Sequence, residues 1–161
     1  MASTTFEEKR TLPYSAEQLF DLVSDVEDYP RFLPWCVGMK IISRSEEELI
    51  ADLVIGYKFI RERFRSRVFL QRPNSITVDY LSGPLKNLNN RWRFLQNDDG
   101  SCTIDFYVEF EFRNPLLKNL VKMFFDEIVR RMVQSFEAQA YKRYGAPKIW
   151  GSAEAHTGVQ S

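Results

Sequence analysis

Between residues 37 and 112 apolar and polar positions alternate with a period of two, interrupted at short intervals by turn-forming residues. That pattern predicts a run of antiparallel strands with one dry and one wet face. Residues 37–44 form one, and Ser45, Glu46 and Glu47 turn the chain into 48–56, where Leu49, Ala51, Leu53 and Ile55 mark a face. The alternation is clearest over 59–70. Ile60, Glu62, Phe64, Ser66, Val68 and Leu70 share one side, and Arg61, Arg63, Arg65 and Arg67 share the other. A turn at 71–74 leads into Ile76, Val78 and Tyr80. Ser82, Gly83 and Pro84 turn again towards Leu88, Asn90, Trp92 and Phe94. Asp98-Asp99-Gly100 is a hairpin signal. After it Cys102, Ile104, Phe106, Val108, Phe110 and Phe112 face inward, with Thr103, Asp105, Tyr107, Glu109, Glu111 and Arg113 outward.

The period changes on both sides of this run. Residues 4–12 alternate weakly through Phe6, Glu8 and Arg10, as an edge strand would. Ser15 with Gln18 makes a capping box ahead of Ala16, Leu19, Phe20 and Val23, which predicts a short helix over 15–24. Asp25 caps a second brief turn that Pro30 is expected to end. The segment 29–36 is rich in aromatic residues and proline, unusual for a connection that normally runs over wet surface. It either plugs one end of the core or forms the lip of an apolar pocket. From 114 to 145 apolar residues recur in pairs, from Leu116/Leu117 through Phe124/Phe125 to Met132/Val133. They form a wide stripe on one helix, roughly 40 Å long at 1.5 Å per residue. Asn114 and Pro115 mark its start, and Lys142, Arg143, Gly145 and Pro147 its end.

The fold class is therefore α+β over 1–147. A seven-stranded antiparallel sheet curves around a long C-terminal helix, with two short helices after the first strand. One helix, about 10 Å across, cannot fill the concave side of such a sheet, so side chains or a ligand must occupy the rest. Residues 148–161, rich in Gly, Ser and Ala, are expected to form a disordered tail.

Composition narrows the chemistry. At 161 residues one domain with a substantial core is expected. Lys+Arg and Asp+Glu balance at 22 each, so no overall field draws the chain to nucleic acid, DNA included, or to an acidic membrane. Thirteen phenylalanines require bulky rings inside. Cys36 and Cys102 are too few for a disulfide framework and fit a reducing compartment. No segment reads as a signal peptide or a membrane span, so a soluble cytoplasmic protein is the expectation. The sole histidine, His156, lies in the tail, which excludes a histidine-based triad or metal site. Cys36, without a histidine to activate it, reads as a small buried hydrophobe. Glu62 points to the apolar face by parity. A register break near Gly56 could return it to solvent, a basic side chain could pair with it, or it could orient a ligand headgroup. The arginine row reads as a solvated face paired to Asp105, Glu109 and Glu111, or as a contact for RNA or anionic lipid.

Tyr29-Pro30 followed by Phe32-Leu33-Pro34-Trp35-Cys36, the Gly83-Pro84 turn with Leu88, Trp92 and Phe94, and the closing Phe136-Glu137 with Tyr144-Gly145 resemble the coenzyme Q-binding proteins. These belong to the START-like, polyketide cyclase/dehydrase superfamily, and their bacterial members are similar to ribosome-association toxins. The resemblance covers roughly residues 4–147. It implies a helix-grip fold over a hydrophobic tunnel and a carrier or chaperone role for ubiquinone or a related isoprenoid lipid, supporting respiration. It brings no catalytic residues, no metal and no cofactor beyond the lipid itself. The absence of an obvious mitochondrial targeting stretch suits a bacterial member. On this reading Phe64, Val78, Tyr80, Trp92, Phe106 and Phe110 would wall the pocket with Phe124, Ile128 and Met132 from the helix. Pro34, Trp35 and Leu85 would form its mouth, with Trp35 and Phe32 touching the inner membrane transiently. Two other classes stay open: a ribosome-binding protein using the basic strand face, and a cyclase or aromatase using Glu62 with a tyrosine.

Overall fold

The alternating segments join into one sheet in a computed structural model that describes residues 3–146. In chain order the elements are β1 (Thr4–Leu12), α1 (Ala16–Ser24), a 3-10 turn (Val26–Asp28), α2 (Tyr29–Phe32), β2 (Cys36–Arg44), β3 (Glu48–Tyr57), β4 (Ile60–Gln71), β5 (Ser75–Ser82), β6 (Leu85–Gln96), β7 (Cys102–Phe112) and α3 (Pro115–Tyr144). All seven strands pair antiparallel in the order β1-β7-β6-β5-β4-β3-β2. The first strand thus closes beside the last, and β2 forms the other edge. The tail from 148 to 161, with His156, lies outside the described residues.

Register carries one face unbroken across the sheet. Leu53 lies opposite Phe64, Val68 opposite Val78, Ile76 opposite Trp92, Trp92 opposite Phe106, and Val108 opposite Phe6. Directly opposed residues share a face, so these side chains line the concave side that α3 crosses. The β3–β4 ladder runs without a shift from Glu48 opposite Phe69 to Tyr57 opposite Ile60. No bulge near Gly56 turns Glu62 outward; it stays on the inner face opposite Ile55.

The capping box forms as expected. The Gln18 N–H donates to Ser15 Oγ at 3.1 Å and the Ser15 N–H to Gln18 Oε1 at 3.0 Å. It starts α1, which buries Ala16, Leu19, Phe20, Leu22 and Val23 against one end of the concave face. There Phe20 meets Phe94 edge-on at 5.6 Å. Pro30 does not end a helical turn. It sits in the first turn of α2, where its missing N–H is harmless and its fixed φ is already helical.

Helix α3 is fastened at its C-terminal end. Tyr14 Oη donates to the Gly145 carbonyl at 3.0 Å, Tyr144 Oη to the Gln18 carbonyl at 2.7 Å, and Gln139 Nε2 to Asp28 Oδ2 at 3.1 Å. Arg143 lies 3.3 Å from Asp25. Gly145 ends the helix with φ +76° and ψ −166°, beyond the left-handed helical region and in backbone space open to glycine. Of the thirty residues of α3, Ala140 alone is buried.

The arginine row pairs with its neighbour strand. Arg65 donates twice to Asp52, at 2.7 and 3.0 Å, and Arg67 lies 2.9 Å from Glu48; both acids belong to β3. Asp105, Glu109 and Glu111 cannot serve, because β6 and β5 stand between β7 and β4. Strand alternation alone does not reveal which strands are neighbours. The Arg65 hydrogen bonds, aided by its charge, hold the Asp52 carboxyl below the usual range against the opposing effect of burial. A depressed folded-state pKa stabilises the fold above the unfolded value, about 4, and loses that contribution as pH falls through the folded value. Asp52→Asn should therefore lower the urea midpoint at pH 7, and the gap to the unmodified protein should close on acidification below about pH 4. A gap constant with pH would show that the carboxylate charge is not what stabilises.

Candidate functional site

Where β1 and α3 approach each other over α1, the concave face is not filled. An apolar cavity of ≈ 60 Å³ is bounded by Phe6 and Leu12 of β1, Leu19, Leu22 and Val23 of α1, Trp92 of β6, Ile104 and Phe106 of β7, and Met132, Val133 and Phe136 of α3. Glu8, Arg10 and Glu137 also line it. The same three residues, with Phe6 and Val133, line an adjoining cleft of ≈ 370 Å³ completed by Asp126, Val129, Arg130 and Gln134. The two spaces thus share a charged rim. Arg10 spans it: its guanidinium lies 2.7 Å from Glu8 on its own strand and 3.0 Å from Glu137 on α3.

Rings build the inner wall. Trp92 stands edge-on to Phe106 at 4.6 Å and to Phe136 at 5.7 Å, and Phe6 touches Phe106 at 6.0 Å and Phe125 at 5.9 Å. Such contacts stabilise by roughly 0.5–1.5 kcal/mol each beyond burial. A space with apolar walls and a guanidinium at its edge suits a ligand with a hydrophobic body and hydrogen-bond acceptors at one end. Nothing in it is an activated nucleophile. Cys36 lies elsewhere, and burial pushes its thiol up. Cys102 has no exposure, and burial pushes its thiol up to about 11. Burial likewise raises Tyr29, whose hydroxyl donates to the Val23 carbonyl.

Of the residues expected to form the pocket, Trp92, Phe106 and Met132 line the cavity. The others do not. Phe110 lies under the first half of α3, against Phe125 at 6.1 Å, and Phe124 of that helix packs on Tyr57 at 5.7 Å. Phe64 and Val78 are inner-face residues nearer the centre of the sheet, and Ile128 is a half-buried residue of α3. Tyr80 braces a turn: its hydroxyl accepts the Leu85 N–H at 2.9 Å, beside Gly83 with φ +146°. A Cβ at Gly83 would lie 2.8 Å from the Arg63 carbonyl. Leu85, only 3% exposed, is no mouth. Pro34 is exposed and Trp35 half-buried, its carbonyl accepting the Gly56 N–H at 2.8 Å, and neither lines the cavity. Phe32 packs on Phe136 at 5.3 Å and is committed to the core. Glu62 has no hydrogen bond or ion pair among the described residues, so the paired-carboxylate expectation fails. The missed residues are those of β1 and α1. Phe6, Glu8, Arg10 and Leu12 share strand parity, but that edge strand reaches the cavity only because β1 pairs with β7.

The chain matches the model of the polyketide cyclase/dehydrase and lipid transport family over residues 12–137, and it belongs to that family. It is 36% identical over 148 residues to the mitochondrial coenzyme Q-binding protein COQ10 homolog B of Xenopus laevis. That alignment covers 89% of this chain and 61% of the frog protein, so the chain spans less than two thirds of that relative's length. It is also 36% identical to the ribosome association toxin RatA of Escherichia coli K12, over 84% of this chain and 85% of the toxin. Among solved structures, the 18 kDa protein CC1736 of Caulobacter crescentus superposes with a TM-score of 0.73 at 35% identity, covering 89% and 99% of the two chains. The Zhui aromatase/cyclase of a Streptomyces species superposes at 0.77 over 94% and 100%, but at 14% identity it shows the shared helix-grip fold alone.

Both cysteines should resist the thiol reagent DTNB at pH 7 until the protein is unfolded. Stoichiometric labelling of Cys36 in the folded protein would show instead that the α2–β2 segment opens readily.

Proposed function

We propose that this member of the polyketide cyclase/dehydrase and lipid transport family carries ubiquinone or a related isoprenoid lipid, without acting as an enzyme. It would work from the cytoplasm at the inner membrane in support of respiration. The observation that carries the reading is the ring-walled cavity beneath α3 with the Arg10 guanidinium at its rim. The 36% identity to a coenzyme Q-binding protein supports the same chemistry.

The physical logic divides the ligand in two. An isoprenoid tail gains about 25 cal/mol for each Å² it takes out of water, and the apolar walls offer that environment. The quinone ring presents carbonyl oxygens that need donors, and Arg10 is an N–H donor that lines both spaces. Its bonds to Glu8 and Glu137 keep it satisfied when no ligand is bound. The free cavity is smaller than the roughly 300–1,000 Å³ of typical ligand sites, so loading requires α3 to lift. Its half-buried body is suited to that movement, while the contacts of Tyr14, Gln139, Arg143 and Tyr144 hold its end.

Ubiquinone should quench Trp92 in a delipidated protein whose Trp35 and Trp150 have been replaced by phenylalanine. Val133→Trp, which fills the space, should weaken binding at least about tenfold, the loss of roughly 1.4 kcal/mol, while leaving the thermal midpoint nearly unchanged. Arg10→Met should weaken ubiquinone about as much yet spare a polyprenol that lacks the quinone ring. No quenching, together with repeated lipid extracts free of quinone and prenyl lipid, would refute the carrier role. A second reading, ribosome binding, is favoured by the 36% identity to the ribosome association toxin and by Arg61 and Arg63, which have no acid within ion-pair distance among the described residues. Co-sedimentation with ribosomal subunits, lost in Arg61→Glu/Arg63→Glu, would support it.

A further inference from the structure

One end of the sheet is unlike the rest of the surface. The β3–β4 turn at Lys58 and Phe59, the β5–β6 turn at Gly83 and Pro84, and the junction of β7 with α3 all emerge there. The Arg113 N–H donates to the Pro84 carbonyl at 3.1 Å, tying the last two together. Lys58 takes φ +55°, and its ammonium lies 5.3 Å from the Tyr57 ring centre and 5.2 Å from that of Phe124 on α3. The β3–β4 tip therefore rests on the first half of the helix, leaving Phe59 82% exposed. On α3 itself Leu116 and Met123, seven residues apart and so on one face, are 66% and 72% exposed. Of the eight large hydrophobic residues exposed among the described residues, five (Val37, Phe59, Leu81, Leu116 and Met123) belong to this end. Ile42, Leu95 and Tyr141 lie at the opposite one.

This end is also rich in cations. Lys58, Arg61, Arg63 and Arg113 belong to this end, and Lys118 and Lys122 to the first turns of α3. Among the described residues none of the six lies within ion-pair distance of an acid. Further along β4, Arg65 and Arg67 are both paired. Of the nearby acids, Glu62 faces inward and Glu111 is occupied by Lys86 at 3.4 Å. The chain is neutral overall, so this is a local cationic end.

We propose that this end is a docking surface for an anionic lipid bilayer, with Phe59, Leu116 and Met123 entering the headgroup boundary and the six cations meeting lipid phosphates. Burial of apolar side chains together with attraction between basic residues and acidic headgroups is the combination by which peripheral proteins hold a membrane surface. An RNA partner would use the cations, but it gives no role to a leucine and a methionine held out on a helix. A second copy of the chain would carry the same six uncompensated charges to its partner. The site is separate from the cavity, so its occupancy does not depend on which lipid the cavity takes.

Flotation with vesicles tests it. The protein should float with phosphatidylcholine vesicles that contain phosphatidylglycerol and stay behind with phosphatidylcholine alone, and raised salt should reduce the binding. Phe59→Asp and Met123→Asp, both at exposed positions, should each weaken flotation about tenfold. Lys118→Glu/Lys122→Glu should weaken it by about as much, while Lys9→Glu/Arg93→Glu, away from this end, should leave it unchanged. Flotation that ignores Phe59→Asp and Met123→Asp, or no flotation at all, would overturn the proposal. So would binding to ribosomal RNA that survives those two changes, or a concentration-dependent dimer that Phe59→Asp dissolves.

Discussion

Everything in this fold follows from a mismatch between a concave seven-stranded sheet and the single long helix laid across it. A twisted antiparallel sheet with one dry face must be covered, and among the described residues α3 is the only element long enough to do so. A cylinder about 10 Å wide cannot contact a curved sheet along both of its edges. The mismatch is resolved at one end only. There α1 inserts Leu19, Phe20 and Leu22 beneath the sheet, and Ala140 closes against it. Elsewhere the stripe of α3 stays half-buried, touching the sheet through separate rings: Phe124 on Tyr57, Phe125 on Phe6 and Phe110, Phe136 on Trp92.

That unequal burial gives the helix two mechanical characters. Its last turns are tied by the hydroxyls of Tyr14 and Tyr144, by Gln139 and by Arg143 to α1 and the segment after it. Its body is held to the β1 edge by the bridge from Arg10 to Glu137 and by the ring contact of Phe125 with Phe6. An ion pair half open to water contributes little, commonly under about 1 kcal/mol. The seam between β1 and α3 is thus lightly held, and it is where the cavity lies. Local opening is expected where few apolar contacts must be broken, so a site that has to admit a bulky lipid sits where opening costs least.

The sequence carried the architecture well because the signals involved are local. Period-two alternation, the Ser15 capping box, and the Asn114-Pro115 start of α3 each depend on neighbours in the chain, and each element stands where those residues put it. What failed needed long-range information. The partners of the arginine row depend on strand order, which places β3 beside β4 and β7 three strands away. Glu8 and Arg10 read as ordinary residues of a weak edge strand until the pairing of β1 with β7 sets them opposite α3. Trp92 and Phe106 were legible as cavity residues because strand parity turns them inward, and Met132 because it lies in the apolar stripe of α3. Leu85 and Tyr80 were not: their roles belong to a turn built around the backbone of Gly83.

Charge distribution adds a constraint that net charge hides. With 22 basic and 22 acidic residues the molecule has no overall field, yet its pairing is uneven. Around the fastened half, Arg10, Arg44, Arg65, Arg67, Arg72 and Arg143 each have an acid within reach. Around the first half of α3, Lys58, Arg61, Arg63, Arg113, Lys118 and Lys122 have none among the described residues, while Lys86 is paired with Glu111. An unpaired surface lysine costs the fold little, because water solvates it, so folding alone does not require this segregation. It does not arise from helix electrostatics either: Lys118 and Lys122 stand in the first turns of α3, and cations are disfavoured near a helix N-terminus. Solubility offers no reason for it, since exposed Phe59, Leu116 and Met123 work against solubility in the same place. Apolar exposure and unpaired positive charge are each mildly unfavourable for an isolated chain in water. Their coincidence at one end is accounted for by a partner that relieves both, which a bilayer with acidic headgroups does.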